Sequence, residues 1–243
     1  MPVVLRDAWT TLVPDLKGRH GPLPPMMLAL TLVTGLVDAF SYLTLGHVFV
    51  ANMTGNVVFS GFALAGAPGF SLTASLAALG AFATGALLGG RIAHRSPAHR
   101  GQLLHRALLL ETALVAAGYV TAQTADPAHA AVRFPLIVLL GLALGVQNAA
   151  ARTLAVPDLT TTVLTLTITG IASDSRFAGG PGSRAGRRLV SAAAMFLGAL
   201  IGALAVLHGH QSLPLLLAAL LLTAAVAAAS TQTRSDHGWT QPA

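Results

Sequence analysis

Residues Gly35 to Gly66 read GLVDAFSYLTLGHVFVANMTGNVVFSGFALAG. The stretch opens inside a long apolar run that carries a carboxylate, Asp38. It breaks at Gly46-His47, runs extended through Val48-Phe49-Val50, and restarts as a short apolar helix at Asn52-Met53-Thr54-Gly55-Asn56. A charge within an apolar run, followed by an interrupted helix, is the pattern of an intramembrane site rather than of a plain span.

The composition around this stretch demands a membrane. The 243 residues are 54% hydrophobic and 9% charged, with a mean hydropathy of +0.71. Soluble domains carry roughly 25% charged residues, so this chain cannot clothe itself in a water-facing surface. The formal charge of +6 sits in a few short arginine-bearing loops. That distribution sets topology and does not point to nucleic acid. No cysteine is present, which removes disulfides, thiolate nucleophiles and Cys-ligated metals.

Six runs are long enough to cross roughly 30 Å of hydrocarbon: Met27–Leu45, Leu72–Ile92, Ala107–Ala125, Phe134–Ala151, Leu189–Leu207 and Leu213–Ser230. Two further apolar segments, Met53–Gly66 and Thr160–Ser173, are 14 residues each, the length of a half-helix. Residues 1–26, rich in proline, read as a flexible cytoplasmic tail without the apolar core of a cleavable signal, with one interfacial turn near Trp9. Residues 231–243 read as a frayed C-terminal tail.

Topology assigns the short segments. Arg91, Arg95, Arg100 and Arg106 crowd one loop, and Arg176, Arg184, Arg187 and Arg188 another. The positive-inside rule places both in the cytoplasm, so an even number of crossings separates them. Ala107–Ala125 and Phe134–Ala151 supply that number, and Thr160–Ser173 must turn back. The same count between the basic N-terminal tail and the first loop makes Met53–Gly66 re-entrant. About six extended residues at roughly 3.3 Å each reach the midplane, and a helix rising about 1.5 Å per residue returns. The expected fold is all-α, with six transmembrane helices, two re-entrant half-helices and both termini cytoplasmic.

The two broken regions resemble each other. Thr31-x-x-x-Gly35-x-x-Asp38 matches Gly141-x-x-x-Gly145-x-x-Asn148 at an offset of 110. After a gap of four, Asn52-Met53-Thr54-Gly55-Asn56-Val57 matches Asp158-Leu159-Thr160-Thr161-Thr162-Val163. The next span in each half carries a glycine pair, Gly85/Gly89 and Gly198/Gly202. Halves 27–125 and 134–230, with three crossings each, form a 3+3 inverted repeat. Their loop charges agree, because His208 to Ser212 holds no arginine where the first half holds several.

In such a repeat the half-helix N-termini converge, presenting unpaired N–H groups and partial positive charge to a polar or anionic solute. The candidate binding residues are Asp38, Asn52, Thr54, Gly55 and Asn56 from one half, and Asn148, Asp158, Thr160, Thr161 and Thr162 from the other. Asn52 and Asp158 also suit helix caps. Asp38 reads as a coupling carboxylate, the alternative being a permanent hydrogen bond to the Thr54–Asn56 end. Glu111 is expected to pair with Arg106 or to snorkel, and Arg152 to pair with Asp158 or to anchor. The glycine pairs suit tight helix packing within the bundle. No His-Glu-x-x-His, phosphate loop or Gly-x-Ser-x-Gly occurs, and His208 with His210 is a weak metal pattern. The reading is therefore of a non-enzyme without cofactor or metal.

The chain resembles the YoaK-like family of bacterial inner-membrane proteins, a domain of unknown function. The resemblance rests on Gly35-Leu-Val-Asp38-Ala-Phe-Ser-Tyr42, Ala51-Asn-Met-Thr54-Gly55-Asn56, Gly145-Val-Gln-Asn148 and Val156-Pro-Asp158-Leu-Thr160-Thr161-Thr162, and covers roughly residues 27 to 230. It implies a bacterial plasma-membrane location with about six spans, and supplies no substrate. The expected function is small-solute transport or conduction, with the lipid bilayer and an unidentified solute as partners. A non-transporting membrane partner protein and an intramembrane enzyme acting on a lipid-like substrate are the alternatives, and a homo-oligomer is left open.

Overall fold

The computed structural model describes residues 3–16, 18–96, 99–159, 164–175, 178–180, 184–231, 233 and 238–240. The elements described are helical: α1 Val3–Leu12, α2 Leu23–Thr44, α3 Met53–Leu64, α4 Leu72–His94, α5 Arg100–Thr124, α6 Ala130–Leu154, α7 Leu164–Ser173, α8 Ala185–Leu207 and α9 Leu213–Ser230, followed by a 3₁₀ turn at Gly238–Thr240. Six of them, α2, α4, α5, α6, α8 and α9, have the length and apolar character of membrane spans. Several run a turn or more beyond the apolar windows, because helix ends continue into polar residues that carry caps. Ser71 accepts the Ala74 amide at the start of α4, and His99 accepts that of Gln102 at the start of α5. Pro24 lies in the first turn of α2, where no amide hydrogen is needed.

Two helix pairs organise the bundle, α2 with α8 and α4 with α6. Both close on glycine. A Cβ on Gly35 would overlap the Met195 carbonyl and lie 2.7 Å from the Ala199 amide nitrogen. A Cβ on Gly145 would meet Phe82 and Ala86 in the same way. Gly198 lies against Leu32 and Gly85 against Leu142, while Gly202 meets Leu36 and Ala39 as Gly89 meets Val146 and Ala149. Each contact in one pair thus recurs in the other, at offsets of 110 on one helix and 113 on its partner. Without a hydrophobic drive between helices in lipid, such close backbone approach is what makes a stable pair. The helix α5 packs on α6 and α9, and α9 also closes on α2.

The two short helices leave and return at opposite ends of the bundle. The chain departs α2 at His47, and after α3 it comes back to Gly69, whose carbonyl lies 3.0 Å from His47 Nδ1. The second excursion starts near Asp158 and finishes at Asp174, and Arg188 holds both carboxylates at 2.8 Å. Its mouth lies at the end where Arg100 donates to the carbonyls of Arg19, Leu154 and Trp239.

Several expectations are corrected. The N-terminal segment is not wholly flexible: Val3–Leu12 is a helix seated on α8, where Gly186 admits the backbone of Val4 and Ala8. Its outer side exposes Leu5, Trp9 and Leu12, the form of a helix lying along a bilayer surface. Part of the C-terminal tail is docked, with the buried Trp239 ring against Gly21. Arg100 is a structural residue only 6% exposed, not a solvated loop charge.

The glycine contacts generate a test. Gly85→Ala or Gly198→Ala should each destabilise the protein by about 1–3 kcal/mol through overpacking. Gly80→Ala, on an exposed helical face with nothing near, should be neutral or gain about 0.5–1 kcal/mol. Unfolding in detergent ranks them, and equal behaviour of all three would refute the pairing.

Candidate functional site

The site forms where α2 stops. Gly46 and His47 adopt positive φ, 82° and 56°, and turn the chain out of the helix. Val48 and Val50 then point inward and are fully buried, while Phe49 points outward onto Tyr42 and Phe59, with ring centroids 4.9 and 5.7 Å away. This is strand-like alternation without a neighbouring strand, so the backbone groups need other partners.

Two side chains provide them. Asp38 Oδ1, on a residue only 7% exposed, accepts the amides of Val50 at 3.1 Å and Ala51 at 2.9 Å. Asn56 is fully buried in the first turn of α3; its Oδ1 accepts the Phe49 amide at 3.0 Å and its Nδ2 donates to the Phe49 carbonyl at 2.6 Å. Asn56 therefore pairs with Phe49 as a second strand would. Gly55 is required because a Cβ there would strike the Phe49 ring at 2.7 Å. Among the described residues no basic side chain pairs with Asp38.

The other candidates fall out differently. Asn52 precedes α3 but makes no side-chain cap bond, and both it and Thr54 are exposed. Asp38 reaches the extended segment ahead of α3, not the Thr54–Asn56 end. In the second half, Asn148 donates to the Leu144 carbonyl at 2.8 Å. Asp158, at φ 63°, is held by Arg188 and lies 3.7 Å from Arg184; the pairing expected with Arg152 is not the one made. Thr160, Thr161 and Thr162 lie outside the described residues. The packing described for α3 is with α4 and that for α7 is with α8. Among the described residues no three His, Asp or Glu side chains converge as a metal site would require.

Asp38 and Asn148 make different contacts, the first accepting two amides of the extended segment and the second donating within its own helix. In the repeat alignment Val50 and Ala51 correspond to Val156 and Pro157. Proline has no N–H, so Pro157 offers no amide where Ala51 does, and Asn148 donates to the Leu144 carbonyl of its own helix.

Sequence reading left Gln147 unplaced and gave Glu111 either Arg106 as a partner or a snorkelling position. Gln147 is buried and donates to Thr34 Oγ1 at 2.8 Å, joining α6 to α2. Glu111 is buried on α5, whereas Arg106 is exposed and donates to Ser96 Oγ and the Arg95 carbonyl, so the expected pair does not form. The available signal was that a polar side chain deep in an apolar run must find partners; which partners is decided by the packing.

The profile of the family described as "Protein of unknown function (DUF1275)" matches residues 26–228. The chain is 32% identical over 152 residues to "UPF0700 transmembrane protein YoaK" of Bacillus subtilis (strain 168), covering 61% of this chain and 65% of that protein, a little under two thirds of its length. No solved structure matches.

Two tests follow from the geometry. Asn56→Ala strands both polar groups of Phe49 and should cost about 1–3 kcal/mol for each group left unpaired. Asn56→Asp, which cannot donate to the Phe49 carbonyl, should be no better; unfolding in detergent decides, and a neutral Asn56→Ala would show the clamp to be dispensable. At the other mouth, hydrogen bonding from Arg188 holds the Asp174 carboxyl below the usual carboxylate range. The clasp is therefore intact at neutral pH, and its contribution is lost only as pH falls through that lowered value. Spin labels on cysteines introduced at the exposed Ala155 and Ala178 should separate in strong acid, and at every pH in Arg188→Gln.

Proposed function

We propose, from the premise that the chain belongs to the DUF1275 family, that it transports or conducts a small polar solute, anionic in the favoured case, across the bacterial plasma membrane. The observation that carries the proposal is a carboxylate lodged on the amides of a broken helix inside a bundle of spans. Backbone N–H groups at such breaks are the usual cradle for anionic substrates in transporters with inverted repeats. Asp38 stands where such an anion would sit.

The mechanism follows from that substitution. As a carboxylate, Asp38 occupies the Val50 and Ala51 amides and keeps the extended segment shut. Protonated, it binds them weakly and releases them to an incoming anion, so that proton and anion travel together. The glycine-locked pairs α2–α8 and α4–α6 are the bodies that rock against each other. Support for an arrangement of six spans, two re-entrant helices and a 3+3 inverted repeat comes from the recurring glycine contacts and the opposite mouths of the short helices. The arginine-rich end, with both chain termini, is cytoplasmic by the positive-inside rule. Thr54, exposed at the start of α3, lines the approach in this scheme.

A non-transporting role is favoured by one feature, the complete engagement of Asn56 with Phe49. Uptake into proteoliposomes separates the readings. Across a panel of inorganic and organic anions, wild type should show uptake driven by an inward proton gradient. In Asp38→Asn, checked to be folded, the gradient dependence should disappear. If no solute moves under a gradient of either sign, transport is abandoned.

A further inference from the structure

Two buried oxygen acceptors inside the bundle have no donor among the described residues. Glu111 on α5 is 1% exposed, and its Oε1 has no hydrogen-bond partner. Gln147 on α6 is also 1% exposed; it commits Nε2 to Thr34, and its Oε1 has no partner. Packing between α5 and α6 brings the two to one depth. Ala107 packs in a cluster with Val146 and Ala150, and Gly118 lies against Leu140 and Leu136. The helices run antiparallel, so Glu111, one turn beyond Ala107, is level with residues 143–147 of α6.

Among the described residues no cation is at hand to complete the pair. The facing helix α6 carries no ionisable residue between Arg133 and Arg152, and α9, which packs on the same helix, carries none. The neighbouring α2 brings Asp38, engaged with Val50 and Ala51, and Tyr42. Weaker contact comes from α4, whose Arg91 and His94 lie in its last turn. On α5 itself Arg106 is turned away to Ser96, and His105 lies on the same helical turn as Arg106. A metal ion would need a larger set of oxygens than one carboxyl and one amide. A proton needs only these two.

We propose that Glu111 and Gln147 form an intramembrane proton-binding site. Hydronium gives its proton to the Glu111 carboxylate and leaves as water; the new O–H donates to Gln147 Oε1. Nothing is oxidised or reduced. Occupancy is relayed through Gln147 to Thr34, one turn from Asp38 on α2. The site stands on packing alone and does not depend on the transport reading.

Infrared spectroscopy of the purified protein in lipid at neutral pH tests this. Wild type should show a carboxylic-acid C=O band that is lost in Glu111→Gln and retained in Asp38→Asn. Gln147→Leu removes the acceptor and should move the band to higher frequency without abolishing it. A wild-type spectrum lacking the band, its survival in Glu111→Gln, or its loss in Asp38→Asn overturns the site. Should Glu111→Gln fail to fold, the comparison with Gln147→Leu decides alone: a shifted band supports the site, and an unshifted one refutes it.

Discussion

Hydrocarbon cannot hydrogen-bond to a peptide, and any break in a helix within a bilayer must bring its own partners. The interruption after α2 exposes the amides of Phe49, Val50 and Ala51 in succession, and the surrounding sequence is fitted to that need. Asp38 lies about two turns back from the end of α2 and Asn56 one turn into α3, and between them they bind all three amides and one carbonyl. Gly55 is absent of side chain because the Phe49 ring occupies the space. A motif that looks like a ligand cradle in one dimension is, in three, a clasp on the chain's own backbone. Both roles use the same chemistry, which is why the proposed solute and Asp38 compete for one place.

The glycines answer a different constraint. Inside lipid, apolar side chains gain little by leaving one apolar neighbour for another, so helix pairing depends on dispersion at close range. The pairs α2–α8 and α4–α6 each join helices from different halves, backbone against backbone. Four helices are thereby joined in two close-packed pairs, while α3 stays at the edge, with Val57, Val58, Phe62 and Leu64 exposed.

Much of this was legible in the residues. Span length and apolarity located the six long helices to within two turns at each end, since hydrocarbon thickness leaves little choice. The glycine pairs were identified as packing sites, and the break at Gly46-His47 was evident from residue type. What the sequence could not reveal were the partners of polar groups distant along the chain. Arg100 reads as topology-setting charge, yet its guanidinium ties three segments, including Trp239 near the C-terminus. Arg188 reads likewise and bridges two carboxylates. Gln147 was visible only as a polar residue in an apolar run, and Glu111 was read as a partner of Arg106 or a snorkelling residue, because the surroundings of both come from other helices. Of the helix α1 only one interfacial turn near Trp9 was legible, because its apolar residues share a short segment with prolines and charges.

The pairing of α2 with α8 bears on how the chain is made. Gly35 and Gly198 are 163 positions apart, and ribosomes add about 5–20 residues per second. Roughly ten to thirty seconds therefore pass between the emergence of one groove and of the ridge that fills it. Through that interval the nascent first half is held in the membrane with its tightest contact surface unmatched. Quality-control proteases and insertion chaperones meet the polypeptide in that state, and biogenesis, more than the finished bundle, is where a bulky replacement at these glycines would be felt first.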